Sequence, residues 1–238
     1  MRYPLFSKRG PFCYTIPMNT TPGLPDLLPV FHELDPKSQE ALKSASFLRD
    51  AEKGTVVHRG SSDCIGLILI ASGQMRAFSL SEEGREITLY RLLDGDACLF
   101  SASCMMRDIQ FEIILETEKD TTFWVIPSET YEKVMQDSLP LATYTNQLMA
   151  SRFSDVMWLL EQIMWKRFDQ RLADFLLEES LLDETARLTI THEAIAKHLG
   201  TAREVVTRML RYFQEEGLVE LSRGVVQITD EAGLRALL

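Results

Sequence analysis

The chain has 238 residues, 45% of them hydrophobic and 25% charged, which is enough apolar material for two domains with separate cores. A formal net charge of −10 argues against indiscriminate coating of nucleic acid, because sequence-independent binding needs many Lys and Arg on phosphates, so any such contact must be local. The apolar run "IGLILIA" at 65–71 falls far short of the ~20 residues a membrane span needs, and no membrane association is expected.

The opening "MRYPLFSKRGPFCYTIPM" is basic and aromatic but lacks both a continuous apolar core and a small-residue cleavage site. It reads as an arm over 1–24 rather than a signal peptide, and a cytoplasmic protein is expected. Cys13, Cys64, Cys98 and Cys104 include no close pair, which fits reduced thiols. A loop carrying Pro22, Pro25 and Pro29 leads to a helix, "DPKSQEALKSAS", with Asp35 as its cap ahead of Pro36. From about 55 to 126, short apolar runs ("TVV", "CIGLILIAS", "MRAFSL", "EITLYRLL", "FEIILETE", "TTFWVIP") alternate with glycine turns at Gly54, Gly60, Gly73, Gly84 and Gly95. Such spacing predicts an antiparallel sandwich or roll, within a first domain over 25–138.

After "PSETYEKVMQ" no Gly or Pro occurs between Pro140 and Ser180, which predicts one long helix or two in series. Met149, Phe153, Val156, Leu160 and Ile163 recur at intervals of four, three, four and three, the seam of a parallel dimer helix over 139–167. The competing reading packs that stripe on the chain's own sheet. Trp158, Leu159, Met164 and Trp165 fall off the seam and predict a second buried face.

Residues 168–238 read as a helix-turn-helix with a β-wing: two helical patterns meet at Leu199-Gly200-Thr201, and "LVEL" and "VVQI" flank the turn Ser222-Arg223-Gly224. Asp230 can cap a final short helix. Ala196 and Gly200 stand where two helices must cross closely. Val206, Met209, Leu210 and Phe213 form the inward face of the second helix, while Arg203, Glu204, Thr207, Arg208 and Arg211 gather on the other. Arg can bind guanine O6 and N7 with two hydrogen bonds and Glu can accept from cytosine N4, so Arg203, Glu204 and Arg208 could read G·C pairs in a major groove. Five basic residues (187, 197, 203, 208, 211) against two acids (193, 204) give residues 187–213 a balance of +3 inside an acidic chain. Alternatively, Thr201 and Glu204 form a capping box and the arginines are merely solvated. "HEAIAKH" begins like a zinc-protease helix, but position 196 is Ala where the second His belongs, so metalloprotease chemistry is rejected. His192, near the helix start, is a candidate phosphate contact.

Over about residues 25–235, and most specifically in "LGTAREVVTRML", the chain resembles the Crp/Fnr family of bacterial transcription regulators. The resemblance implies an α+β fold: an N-terminal β-roll of cyclic-nucleotide-binding (jelly-roll) type that senses an effector, a long dimerisation helix and a C-terminal winged helix-turn-helix. It further implies a homodimer that reads an inverted repeat in double-stranded DNA and acts through RNA polymerase. Arg203, Glu204 and Arg208 match the base-reading residues of the cyclic-AMP-responsive branch, which implies a G·C-containing half-site, although Thr207 stands where that branch carries Gly. The ligand positions depart from the pattern. Leu99 and Phe100 replace the Gly-Glu pair that holds a ribose, and Phe111 and Glu112 replace the Arg-Ser pair that holds a cyclic phosphate. The expected effector is therefore a small, partly apolar molecule rather than cyclic AMP, in a pocket lined by Phe100, Phe111, Met157 and Leu160, with Arg107 as a candidate anion partner. An iron-sulfur sensor of the oxygen-responsive branch would need three thiolates near the N-terminus, where only Cys13 stands. No cofactor or metal is expected, and Cys98, Cys104 and Cys64 form a redox or metal site only if the fold gathers them. Enzyme activity of cupin type is not expected either, since His32 and His58 are the sole histidines before residue 192. The competing function is an effector-independent architectural DNA-binding protein that uses its roll as a dimer scaffold.

Overall fold

The computed structural model describes residues 21–60, 64–105 and 112–238, with side chains at all of these except 103–105. The expected arm over 1–24 thus lies almost wholly outside the described residues. A short helix, α1 (Leu24–Leu27), precedes α2 (Pro36–Ala45), and Asp35 caps α2 as its position before Pro36 predicts. Its carboxylate accepts from the backbone N–H groups of Lys37 and Ser38 at 3.0 and 3.1 Å. The Ser38 hydroxyl and these backbone donors hold the Asp35 carboxyl below its ordinary value.

The strands that follow are β1 (Phe47–Ala51), β2 (Val56–Arg59), β3 (Leu67–Ser72), β4 (Met75–Leu80), β5 (Glu86–Leu92), β6 (Ala97–Cys98), β7 (Ile114–Thr117) and β8 (Thr121–Ile126). They form two four-stranded sheets, ordered β1-β8-β3-β6 and β2-β7-β4-β5. All six apolar runs named above contain strands. β1 went unread in the sequence, because Phe47–Ala51 is an edge strand whose side chains are mostly exposed and follow no apolar alternation.

β3 shows why the sheets stack. Its residues Leu67 to Ala71 are all buried, since successive side chains point to opposite faces and each face has a core. Ile68 and Ile70 join Met75, Ala77, Leu92, Leu115, Phe123 and Val125 between the sheets. Leu67 and Leu69 face the other way, onto Leu24, Leu42, Tyr131 and Leu141. Two of those come from α3 (Ser128–Asp137) and α4 (Leu139–Trp165), which cover the outer side of the first sheet.

The stretch without Gly or Pro is two helices in series. α4 ends at Trp165, and α5 (Phe168–Leu182) begins after Arg167, which is extended and donates its backbone N–H to Gln170 Oε1 at 3.2 Å. Then come β9 (Arg187–Leu188), α6 (His192–Leu199), α7 (Arg203–Glu215), β10 (Val219–Ser222), β11 (Val225–Ile228) and α8 (Glu231–Ala236). The last three strands pair antiparallel in the order β10-β11-β9, so the wing has a third strand that two residues in sequence could not announce. Asp230 caps α8 through the Gly233 N–H at 2.8 Å. Leu172, Phe175, Leu176, Ile195, Val206, Leu210, Phe213 and Val226 close one core around these elements.

Among the described residues the chain forms two compact units, one made of residues up to Ser79 with Leu89–Asp155, the other of Leu80–Thr88 with Val156–Leu238. The fold is α+β, with a jelly-roll-like β domain and a C-terminal winged helix-turn-helix.

Leu69→Ala and Ile70→Ala empty different cores, and each is expected to lower stability by about 2–5 kcal/mol. Exposed Leu80→Ala should change it by less than about 0.5 kcal/mol. Equilibrium urea unfolding checks all three.

Candidate nucleic-acid interface

α6 starts at Thr191, whose hydroxyl accepts from the Ala194 N–H at 3.1 Å, and stops at Gly200, which takes the left-handed conformation (φ 63°, ψ 41°). Ala196, buried against α7, accepts at its carbonyl from both Gly200 and Thr201. Arg171 of α5 donates to the last carbonyl of α6, that of Leu199, at 2.6 Å, and burial lowers its pKa. The turn between the helices is therefore fixed from three sides.

This turn delivers α7 with Val206, Leu210 and Phe213 buried and Met209 half-buried. Arg203, Glu204, Arg208 and Arg211 are exposed, and Thr207 is half-buried between them. These five side chains line one concave surface, as the 100° helical step predicts, and Tyr212 and Glu215 complete it. The sequence reading missed both. Glu215, twelve residues after Arg203, falls within that face by the same helical step, whereas Tyr212, nine residues on, stands opposite Arg203 and flanks the surface beyond Arg208, so periodicity could announce only the first. The capping-box alternative for Glu204 is not realised: the N-cap of α7 is Ala202, one residue after Thr201, and no side chain caps it. Glu204 lies in the first helical turn, where the N-terminal partial charge favours an acid, and its carboxylate belongs to the exposed face.

His192 is half-buried at the start of α6, and its Nδ1 lies 2.9 Å from Thr207 Oγ1. Burial, and then the guanidiniums of Arg203 and Arg211, lower its pKa below the ordinary 6.5. His198 is buried instead. Its ring centroid lies 5.3 Å from that of Phe175 and its Nδ1 is 2.9 Å from Thr88 Oγ1; Lys197 Nζ meets Glu86 Oε1 at 2.8 Å. Residues 80–88 belong to the same compact unit as α6.

The other expected site residues are placed as follows. Phe100 is buried in the roll core, its ring centroid 6.3 Å from that of Tyr90, and Leu99 is buried on the other side of the first sheet. Arg107 and Phe111 lie outside the described residues. Met157 and Leu160 are exposed on α4. Of the seam residues, Phe153, Leu160 and Ile163 are exposed, while Met149 and Val156 are partly buried, Met149 against the roll core. The second face of α4 holds buried Leu159 and half-buried Trp158, but Met164 and Trp165 are exposed, contrary to expectation. Reduced thiols were expected throughout, and Cys64 corrects this because it is disulfide-bonded. Chain distance does not tell which thiols a fold brings into bonding reach. Cys98 is free and buried, and the Cys104 side chain lies outside the described set. Among the described residues no group of three His, Cys, Asp or Glu is placed to hold a metal, and no helix is long and apolar enough to cross a membrane.

A winged helix with three exposed arginines on its second helix defines a DNA-binding protein of the helix-turn-helix class. The Crp-like helix-turn-helix domain matches residues 170–237. A solved structure from Eubacterium rectale, a putative transcriptional regulator of the Crp/Fnr family, is 56% identical, with a TM-score of 0.88, over 89% of this chain and 98% of that one. A cyclic AMP receptor protein of Thermus thermophilus is 27% identical over 210 residues, 88% of this chain and 96% of the relative. The transcriptional activator FnrA of Stutzerimonas stutzeri is 26% identical over 197 residues, 79% of each chain. The chain belongs to the Crp/Fnr family of transcription regulators.

Gly200→Ala forces a side chain into the left-handed region, at a cost of about 1–2 kcal/mol. Thr191→Ala removes the cap of α6 and should cost about 1 kcal/mol. Thermal unfolding monitored by circular dichroism checks both.

Proposed function

We propose that this regulator works as a cytoplasmic homodimer whose two α7 helices read a G·C-containing inverted repeat, and that it acts on transcription through RNA polymerase. The observation that carries this reading is the exposed face of α7, where Arg203, Glu204 and Arg208 stand with no intramolecular cap to occupy Glu204. Arg203 and Arg208 supply bidentate donors for guanine and Glu204 an acceptor for cytosine N4; Thr201, Arg211 and His192 contact the phosphates that flank the groove.

Dimerisation is supported by α4. Phe153, Met157, Leu160 and Met164, at offsets of 0, 4, 7 and 11, are 68%, 40%, 45% and 58% exposed. That spacing keeps all four within a narrow stripe of the helix, and a contiguous apolar stripe in water calls for a partner. A second copy of α4 presents the same stripe.

The roll would sense an effector other than cyclic AMP. Leu99 and Phe100 stand where related proteins carry a polar pair for the ribose, and here both are packed into apolar cores. Their burial also favours a second reading, in which the roll is only a scaffold and DNA binding needs no effector. Purified protein that binds one operator equally well before and after removal of all small molecules would support the scaffold.

Arg203→Ala and Arg208→Ala should each reduce the preference for specific over random duplex by about 1–3 kcal/mol, measured by fluorescence anisotropy. Equal losses on both duplexes would make them phosphate contacts instead. Glu204→Gln should leave thermal unfolding unchanged and alter base preference. Phe153→Glu with Leu160→Glu should turn the dimer into a monomer in sedimentation velocity.

A further inference from the structure

The reading helix carries one side chain whose hydrogen-bonding sense is set from outside the helix. Thr207 lies among Arg203, Glu204, Arg208 and Arg211, and unlike them it is tied to the neighbouring helix, by the 2.9 Å contact between its Oγ1 and His192 Nδ1. A threonine hydroxyl has one proton to donate and two lone pairs, whereas a neutral imidazole has one nitrogen that donates and one that accepts. Which of the two donates in this contact decides what Thr207 can still offer to a base.

We propose that His192 is a positioning residue that fixes the polarity of the Thr207 hydroxyl: the neutral ring makes Thr207 an acceptor for adenine N6 or cytosine N4, and the protonated ring makes it a donor to guanine O6 or thymine O4. The proposal rests on the reading of α7 as the helix that enters the major groove.

Partial burial disfavours a charged ring, and so do Arg203 and Arg211, the two charges of α7 that act on it. At neutral pH the ring therefore carries a single proton. The same two guanidiniums draw phosphate oxygens to this corner, and a phosphate oxygen only accepts, so the outer nitrogen Nε2 keeps the proton and Nδ1 presents its lone pair. The Thr207 O–H is then committed to Nδ1, and only its oxygen lone pairs face the groove. Adenine and cytosine are the bases that present an amino group there. When the ring takes a proton from solvent, it binds at Nδ1, which now donates to the Thr207 oxygen. The hydroxyl hydrogen is released toward the groove, where guanine O6 and thymine O4 accept. A glycine at position 207 could make neither choice.

The test is selection of bound sequences from a randomised duplex pool by the full-length protein, at about pH 8 and about pH 5, on either side of histidine's ordinary value. Thr207→Val should lose preference at one position of each half-site and so locate the base that Thr207 reads. At that position the wild type should favour adenine or cytosine at the higher pH and shift toward guanine or thymine at the lower, by about 3- to 10-fold. His192→Gln, which also alters a phosphate contact and so weakens binding to all sequences alike, should show no pH-dependent change of preference at that position. A wild-type preference unmoved by pH, or one that moves equally in His192→Gln, overturns the proposal and leaves DNA reading intact. Failure of the wild type to enrich any sequence, with Arg203→Ala no weaker on the pool, overturns the reading of α7 and the proposal together. Ring nitrogen chemical shifts of His192 in the DNA complex give an answer independent of any variant: a proton on Nδ1 at about pH 8 overturns the assignment.

Discussion

The left-handed turn at Gly200 is the constraint on which the interface depends. There the chain leaves α6 with the Gly200 and Thr201 amides folded back onto the Ala196 carbonyl, and Ala196 is buried in one core with Val206 and Leu210 of α7. Once the crossing is set, helical periodicity does the rest. Val206, Leu210 and Phe213 are drawn into the core, and the arginines must then face outward, because a charged side chain buried without a partner costs far more than a helix gains by forming. Recognition chemistry and core packing are two sides of one amphipathic pattern.

The chain's overall acidity works with this arrangement. A net charge of −10 disfavours indiscriminate contact with phosphates, and the turn gathers Arg203, Arg208 and Arg211 on one exposed surface of this acidic chain. Burial lowers the pKa of His192, and the charges of Arg203 and Arg211 lower it further. Two acids, Glu204 and Glu215, share that surface and offset part of its positive charge.

Much of this was legible in the sequence because it is periodic or locally punctuated. The Asp35 cap, the glycine turns, the apolar run "LILIA" as a strand and the split of α7 into apolar and polar faces all depend on residues within a few positions of one another. What escaped depends on distance or on one-residue offsets. β1 and β9 exist because longer strands, β8 and β11, offer them an edge; their own composition does not require a strand. The Thr201–Glu204 box failed by a single residue, since the helix begins after Ala202 and the box needs its first member at the cap. The His192–Thr207 contact joins residues fifteen apart across the helix crossing, and only a placed pair of helices reveals it.

The two departures from the cyclic-AMP-responsive pattern, at the roll and at the reading helix, have opposite physical character. In the roll, where the resemblance places a polar ligand-holding pair, Leu99 and Phe100 stand and are buried in apolar cores. In α7, Thr207 stands where the resemblance places a glycine, and its hydroxyl lies 2.9 Å from Nδ1 of His192 on the adjoining helix. A bare threonine rotor can donate or accept and so discriminates weakly between bases. A rotor held by a group of fixed protonation presents one polarity at a time, which is the property that a base-reading contact requires.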